Sequence, residues 1–160
     1  MNLRQKIDKI LEVFLVVIMS ALVIDVVWQV ASRYIFGNPS SFTDELAVFL
    51  LIWVGMAGAA YVKGKNEHLA IDILPDKLKP VNKNRLLIFI NILIIIFSIT
   101  IMIVGGTWLT YTRFQMGQVS SALQVPLGYV YMILPISGLL MLYYSIDDII
   151  KLNKEIKNIK

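Results

Sequence analysis

Four long apolar runs, separated by polar segments, dominate the 160-residue sequence. They extend over Val13 to Val30, broken only by Asp25, and over Leu46 to Val62, Leu86 to Thr112 and Val125 to Ile146. An α-helix rises about 1.5 Å per residue, so roughly 20 apolar residues cross the hydrocarbon core of a bilayer. Each run is long enough for this, the second with a few flanking residues. The pattern therefore predicts four transmembrane helices.

Helices are the expected structure of these runs because backbone polar groups inside a bilayer must be hydrogen-bonded within their own segment. We predict an all-α integral membrane protein with a single domain of residues 1–160, its helices at about residues 10–35, 42–63, 86–114 and 125–150. Between the second and third runs, apolar residues lie among charges, and Pro75 and Pro80 interrupt them. We expect short helical pieces there, lying on the membrane surface.

Positive charge alternates between the segments that join the runs. Three Lys or Arg residues precede the first run, one follows it, six follow the second, one follows the third and four follow the last. Short loops rich in Lys and Arg stay in the cytoplasm. We therefore expect both termini and the second loop inside, with the loops from Arg33 to Glu45 and from Arg113 to Gln124 outside.

Composition narrows the function further. The net charge of +4 does not indicate nucleic-acid binding, because the cations lie beside the membrane spans, where anionic lipid headgroups attract them. We expect Lys63, Lys65 and His68 in that cytoplasmic headgroup region. The chain has no Cys and a single His, which excludes disulfides, Cys-ligated metal and paired-imidazole haem ligation within it. No catalytic motif is present, so we expect neither an enzyme nor a cofactor or metal site.

Asp25 is the residue inside an apolar run that most invites a functional interpretation. A carboxylate in hydrocarbon is costly, so it should face other protein or water. Gln29 and Ser32 share its helix face, and Arg33 lies about 12 Å further along the axis. Two interpretations remain open: an interhelical hydrogen bond or packing contact, and a proton or sodium coupling site.

Two other sets of residues lead to simpler expectations. Gly55, Gly58 and Ala59 in the second run would let another helix approach closely, so we expect that face to pack against protein. Asp147 and Asp148 stand beside the lysines of the tail, and we expect them to form a solvated helix end.

Several short motifs follow one another in a specific order and spacing. They are Trp28 to Phe36, Phe42 to Ala47, Leu51 to Trp53, Gly58 to Ala60, and Lys63 followed by His68 to Asp72. Together with four spans, they resemble the small membrane subunit of tripartite ATP-independent periplasmic (TRAP) transporters. Each motif is weak alone; the resemblance spans nearly the whole chain, and its strongest part covers Trp28 to Asp72.

The resemblance implies a subunit of a sodium-coupled importer in the bacterial inner membrane. In such systems a periplasmic binding protein captures an acidic solute, such as a sialic acid or a C4-dicarboxylate. A large permease subunit carries it by an elevator movement, and the small subunit binds the static scaffold of the permease. We therefore expect this chain to have a structural role, to contact membrane lipids, the permease and the binding protein, and to hold no substrate.

Arg33, Asp44 and Glu45 are our candidate interface residues, because they lie at the predicted outer surface beside the start of the second helix. Arg33 can pair with a carboxylate there. A local ion pair is the simpler interpretation, and a contact with the permease or the binding protein is the functional one.

A rival hypothesis for the function of the whole chain is an autonomous four-helix, proton-coupled exporter that uses Asp25. The membrane anchor of a redox enzyme is disfavoured by the single His and the absent Cys.

Overall fold

The computed structural model describes residues 3–37, 40–65 and 80–159, and these residues are mostly helical. The helical elements are α1 (Leu3–Tyr34), α2 (Ser41–Lys65), α3 (Pro80–Phe97), a π-helical segment (Ser98–Gly105), α4 (Gly106–Gln115), α5 (Leu127–Tyr131) and α6 (Ile133–Ile159). The expected surface pieces of the second loop and His68 lie outside the described residues.

Among the described residues, four helical stretches are long and apolar enough to cross a membrane, which confirms the predicted fold class. They are α1, α2, the continuous stretch Asn82–Gln115 and the stretch Leu127–Lys157. α1 begins earlier than hydropathy suggested and α6 ends later. The reason is that both helices continue past the apolar residues through polar turns, whose side chains form ion pairs with one another.

The helix backbones are arranged in the spatial order α1, α2, α6, α3. α2 packs against both α1 and α6, and α6 packs in turn against α3 and the π-helical segment. Within the described residues, the backbone of α1 has only that of α2 as a close helical neighbour. The four spans thus form an open layer rather than a closed bundle, and large apolar side chains remain exposed on it.

The third and fourth spans meet through glycines. A Cβ at Gly106 would lie 2.9 Å from the Cβ of Leu134, and one at Gly138 would lie 2.8 Å from the Cβ of Met102. The π-helical segment lies at this contact. Helical periodicity did not predict it, because a π-bulge widens a helix without changing its composition. Pro135 is tolerated in the first turn of α6, where its missing N–H leaves no bond unmade.

Candidate functional site

One end of the helix layer, here called the Lys63 end, contains an ionic cluster in which Lys63 and Asp148 are buried and Arg4 and Asp147 are partly buried. The Lys63 ammonium lies 2.7 Å from Asp148 Oδ2 and donates a 2.7 Å hydrogen bond to Asn91 Oδ1. The side chains of Lys63 and Asp148 are only 2% and 7% exposed. These contacts join α2, α3 and α6. A buried charge is tolerated only when it is paired and hydrogen-bonded, and both conditions are met here.

Arg4 brings α1 into the same cluster. Its Nη1 lies 2.6 Å from Asp147 Oδ2 and 2.7 Å from Asp148 Oδ1, while Nη2 donates a 2.5 Å hydrogen bond to the backbone oxygen of Gly64. The guanidinium also lies 5.4 Å from the ring centroid of Tyr144. Arg4 therefore connects α1 to α2 and α6 at once, which a lysine with its single ammonium could not reproduce.

Tyr144 completes the packing at this end. The ring is fully buried, and its hydroxyl donates a 2.5 Å hydrogen bond to Asp8 Oδ1. Gly64 is required beside it, because a Cβ there would lie 2.7 Å from Tyr144 Cζ. Side chains from all four spans thus pack together around Lys63.

The Lys63 end differs from what the sequence led us to expect. Asp148 is buried between two cations rather than solvated. Lys63 is buried against Asp148 and Asn91, and its place in the headgroup region stays a prediction. Lys65 is exposed, with its ammonium 5.4 Å from the ring centroid of Tyr61. One residue of the sequence could have indicated that Lys63 is buried. Asn91 is a polar residue inside an apolar run, and a buried polar group needs a partner at a matching depth.

At the other end, here called the Glu45 end, a single carboxylate holds a loop. Glu45 lies in the first turns of α2 and accepts hydrogen bonds from three successive backbone N–H groups, those of Ser121 (2.8 Å), Ala122 (2.8 Å) and Leu123 (2.9 Å). These residues belong to the 116–126 loop between α4 and α5. Three N–H groups that converge on one point form an anion-binding concavity, and Glu45 fills it.

The loop has internal order of its own. Ser120 N–H donates a 2.9 Å hydrogen bond to Val125 O, and Val119 forms an isolated antiparallel bridge with Pro126. Gln124 has a φ of 53°, a left-handed conformation that non-glycine residues seldom adopt. Glu45 therefore fixes the position of a loop that is already compact.

Arg33 and Asp44 form the expected pair beside Glu45, but it is a loose one. Arg33 Nη2 lies 3.9 Å from Asp44 Oδ1, and both side chains are about half exposed. The Gln29 amide also donates a hydrogen bond to Asp44 Oδ1. Asp44 thus bonds α1, whereas Glu45 bonds the 116–126 loop. The sequence placed these two carboxylates together without indicating that their roles differ.

Asp25 lies on the face of α1 that packs against α2 and is 8% exposed. Its Oδ2 is buried and has no hydrogen-bond partner among the described residues. In the part of the chain that the structure describes, no three His, Cys, Asp or Glu side chains are grouped as metal ligands.

The small residues of α2 fall into two groups. Ala57 and Ala60 are buried within the chain. Gly55 and Ala59 are exposed, and a Cβ added at Gly55 or Gly58 would meet no atom within 4 Å. The Gly55 and Ala59 face therefore packs against no described helix of this chain, and its role as a protein contact stays a prediction.

The fold and this arrangement of polar residues define a multi-pass membrane protein with four spans, ionic contacts at both ends and largely apolar surfaces between them. Residues 22–155 match the family model of the tripartite ATP-independent periplasmic transporters, DctQ component. The chain belongs to this family, which confirms the resemblance drawn from the motifs. The family is a transporter subunit and not an enzyme.

Relatives agree with the family assignment. The chain is 26% identical over 140 residues to a Haemophilus influenzae protein whose name describes it as a TRAP transporter small permease protein, with 88% of this chain and 85% of that protein covered. It is 25% identical over 154 residues to the sialic acid TRAP transporter small permease protein SiaQ of Vibrio cholerae, covering 95% and 86%. Small subunits of this kind pair with a large permease.

A third similarity is to a protein of another size. A stretch of 74 residues, 42% of this chain, is 35% identical to part of the sialic acid TRAP transporter permease protein SiaT of H. influenzae. The match covers only 12% of that protein. A segment similar to this chain is therefore a minor part of a much longer permease polypeptide.

Proposed function

We propose that this chain is the scaffold subunit of a sodium-coupled TRAP transporter that imports an acidic organic solute. In this proposal it binds a large permease and braces the static part of the elevator, while a periplasmic binding protein delivers the solute. The observation that carries the proposal is the Lys63 end, where Arg4, Lys63 and Asp148 join all four spans through buried contacts. Such a cluster suits a part that keeps its shape while another part moves.

The open layer of helices supports the same role. A single row of spans cannot enclose a substrate pathway, whereas it presents two broad apolar faces. Ionisable residues inside transporters normally line the ion or substrate path. Here Lys63, Arg4 and Asp148 are paired with one another at one end. Their charges are already compensated, so they do not form a binding site for a transported ion.

The proposed orientation puts the Lys63 end in the cytoplasm and the Glu45 end in the periplasm of a bacterial inner membrane. The distribution of Lys and Arg supports it, since the loops at the Glu45 end carry two of the 15 cations. Arg33, Asp44 and Glu45 would then face the periplasm, where the binding protein docks. Lys65 and the His68 loop would lie near cytoplasmic lipid headgroups.

The solute that we propose to test first is a sialic acid. SiaQ and SiaT are named for sialic acid transport, and C4-dicarboxylates are the next class to test. Because this chain offers no substrate site in our proposal, the choice of solute depends on the permease and the binding protein.

Reconstituted transport tests the proposed function directly. We expect proteoliposomes with the permease, this chain and the binding protein to take up solute only with an inward sodium gradient. Liposomes with this chain alone should transport nothing, and omission of the chain should abolish or strongly reduce uptake. Proton-coupled export by the chain alone, lost in Asp25→Asn, would instead establish the rival exporter.

A further inference from the structure

A lateral groove separates α1 from α2 near the Glu45 end. It has a volume of about 430 Å³, and its lining includes Ile24, Asp25 and Trp28 of α1 and Phe42 and Thr43 of α2. Ile24, Trp28 and Phe42 are 70%, 56% and 51% exposed, so they form an apolar rim. Thr43 is buried. The groove therefore has an apolar mouth and a polar floor.

Asp25 is the charged group of that floor. It is more than nine-tenths buried, and its Oδ2 accepts no hydrogen bond from the described residues. A buried carboxylate without a partner is strongly disfavoured, more so at membrane depth, where water does not replace the missing donor. Asp25 lines the open groove, while Oδ2 itself is buried. Rotation of the carboxylate exchanges its two oxygens, so a donor that enters the groove from outside the chain would be stabilising.

The rim of the groove distinguishes the two possible sources of that donor, a lipid headgroup amine and a side chain on a neighbouring membrane helix. Ile24, Trp28 and Phe42 line the groove with exposed apolar side chains. A charged, hydrated headgroup gains nothing from such a rim, whereas an apolar helix that carries a cation can bury the rim and pair with Asp25.

We propose that this groove is a docking site for a transmembrane helix of the large permease, which places a Lys or Arg side chain against the Asp25 carboxylate. The proposal rests on the proposed function, since it takes the permease as the partner. Charge complementarity identifies the side chain: an acidic floor within an apolar rim fits a cation carried on an apolar helix. Interhelical polar contacts of this kind also fix the register of two helices.

Photo-crosslinking tests the position of the permease without altering Asp25. The chain has no Cys, so Ile24→Cys carries a single benzophenone maleimide when the purified subunit is labelled before the permease is added. The matched control is Val27→Cys, which is 63% exposed and lies roughly 200° around the same helix from Asp25. We expect a several-fold higher yield of permease crosslink from Ile24→Cys.

Equal yields, a higher yield from Val27→Cys, or crosslinks from Ile24→Cys to lipid alone would overturn the proposal. The crosslinked permease peptide, identified by mass spectrometry, should come from a membrane helix that contains a Lys or Arg. A peptide without a cation would refute the charge pairing.

Substitution of Asp25 tests the chemistry. Asp25→Asn keeps the size of the side chain but removes its charge, and we expect its affinity for the permease to fall about tenfold or more, as for truncation of one partner of a buried pair. Replacing the identified permease cation by Met should have the same effect, and combining both changes should cost little more than either alone. Independent, additive losses would contradict a direct contact.

The two proposals fail in different ways. If the wild-type chain does not bind the permease at all, the proposed function fails. If the wild-type complex forms and imports solute, while Asp25→Asn binds as tightly and Ile24→Cys does not crosslink, only the groove proposal fails.

Discussion

The two ends of the helix layer use charge in opposite ways. At the Lys63 end, cations and carboxylates pair with one another across three spans, and Lys63 also bonds Asn91 on the third span, α3. At the Glu45 end, one carboxylate binds three backbone N–H groups, and the neighbouring Arg33 and Asp44 pair is half exposed. The first arrangement determines how the helices sit together. The second determines where a loop lies and leaves charged side chains accessible.

This difference distinguishes charges that stabilise the fold from charges that can contact a partner protein. Charges buried in such a network are needed for the fold, because removal of Asp148, for example, leaves the Lys63 ammonium buried without a counter-charge. Charges at an exposed end contribute little to folding and remain available to a partner protein. Substitutions at the two ends should therefore separate stability from docking.

The largest effect should come from Asp148→Leu. It leaves the Lys63 ammonium buried with Asn91 alone and removes a partner of Arg4. Loss of one member of a buried ion pair costs about 3–5 kcal/mol, so we expect a markedly lower unfolding temperature for the detergent-solubilised protein. Thermal unfolding followed by size-exclusion chromatography measures this.

Two variants control for this prediction. The double variant Lys63→Met with Asp148→Leu removes both charges and should recover much of the loss, because no uncompensated charge remains. Asp147→Leu should be milder, since Asp147 is 30% exposed and bonds the solvent-accessible Lys151. An unfolding temperature for Asp148→Leu equal to that of the wild type would show that the cluster does not hold the spans.

A smaller and local effect is expected from Glu45→Gln. An amide has one acceptor oxygen and no charge, so it cannot hold the three N–H groups that the carboxylate holds. Hydrogen exchange at Ser121, Ala122 and Leu123 should become faster, while the unfolding temperature changes little. Asp44→Asn is the matched control and should leave exchange in the loop unchanged.

Reversal of the charge at Glu45 tests whether the Glu45 end takes part in transport. In the reconstituted transporter, Glu45→Lys should lower uptake that depends on the binding protein, while the complex with the permease still forms. Undiminished uptake would show that docking does not use this loop.

The smallest effect on stability should come from Arg33→Gln. The pair with Asp44 is long and half exposed, and exposed pairs contribute about 0–1 kcal/mol. We expect an unfolding temperature close to that of the wild type and any effect on uptake to diminish at high salt, since screening weakens exposed charges. A large loss of stability would mean that charges at both ends stabilise the fold.

Much of the fold could be predicted from local patterns. Apolar runs such as Leu46 to Val62 are long enough to be identified as spans on hydropathy alone, and the motif series around Trp28 and Glu45 identified the family. The prediction for Asp148 was wrong because Lys151, at helical i, i+4 spacing, suggested a solvated pair. Asp148 is buried by two cations, Arg4 and Lys63, and both are remote from it in the sequence.

The sequence by itself determined the number of spans, the helical class and the family, because hydropathy and short motifs are properties of neighbouring residues. Only the tertiary structure decided that Lys63 is buried, that Glu45 binds the 116–126 loop and that Asp25 faces a groove. The physical reason is that a charge is stabilised by whatever surrounds it in space. For these residues the surroundings come from helices far apart in the chain.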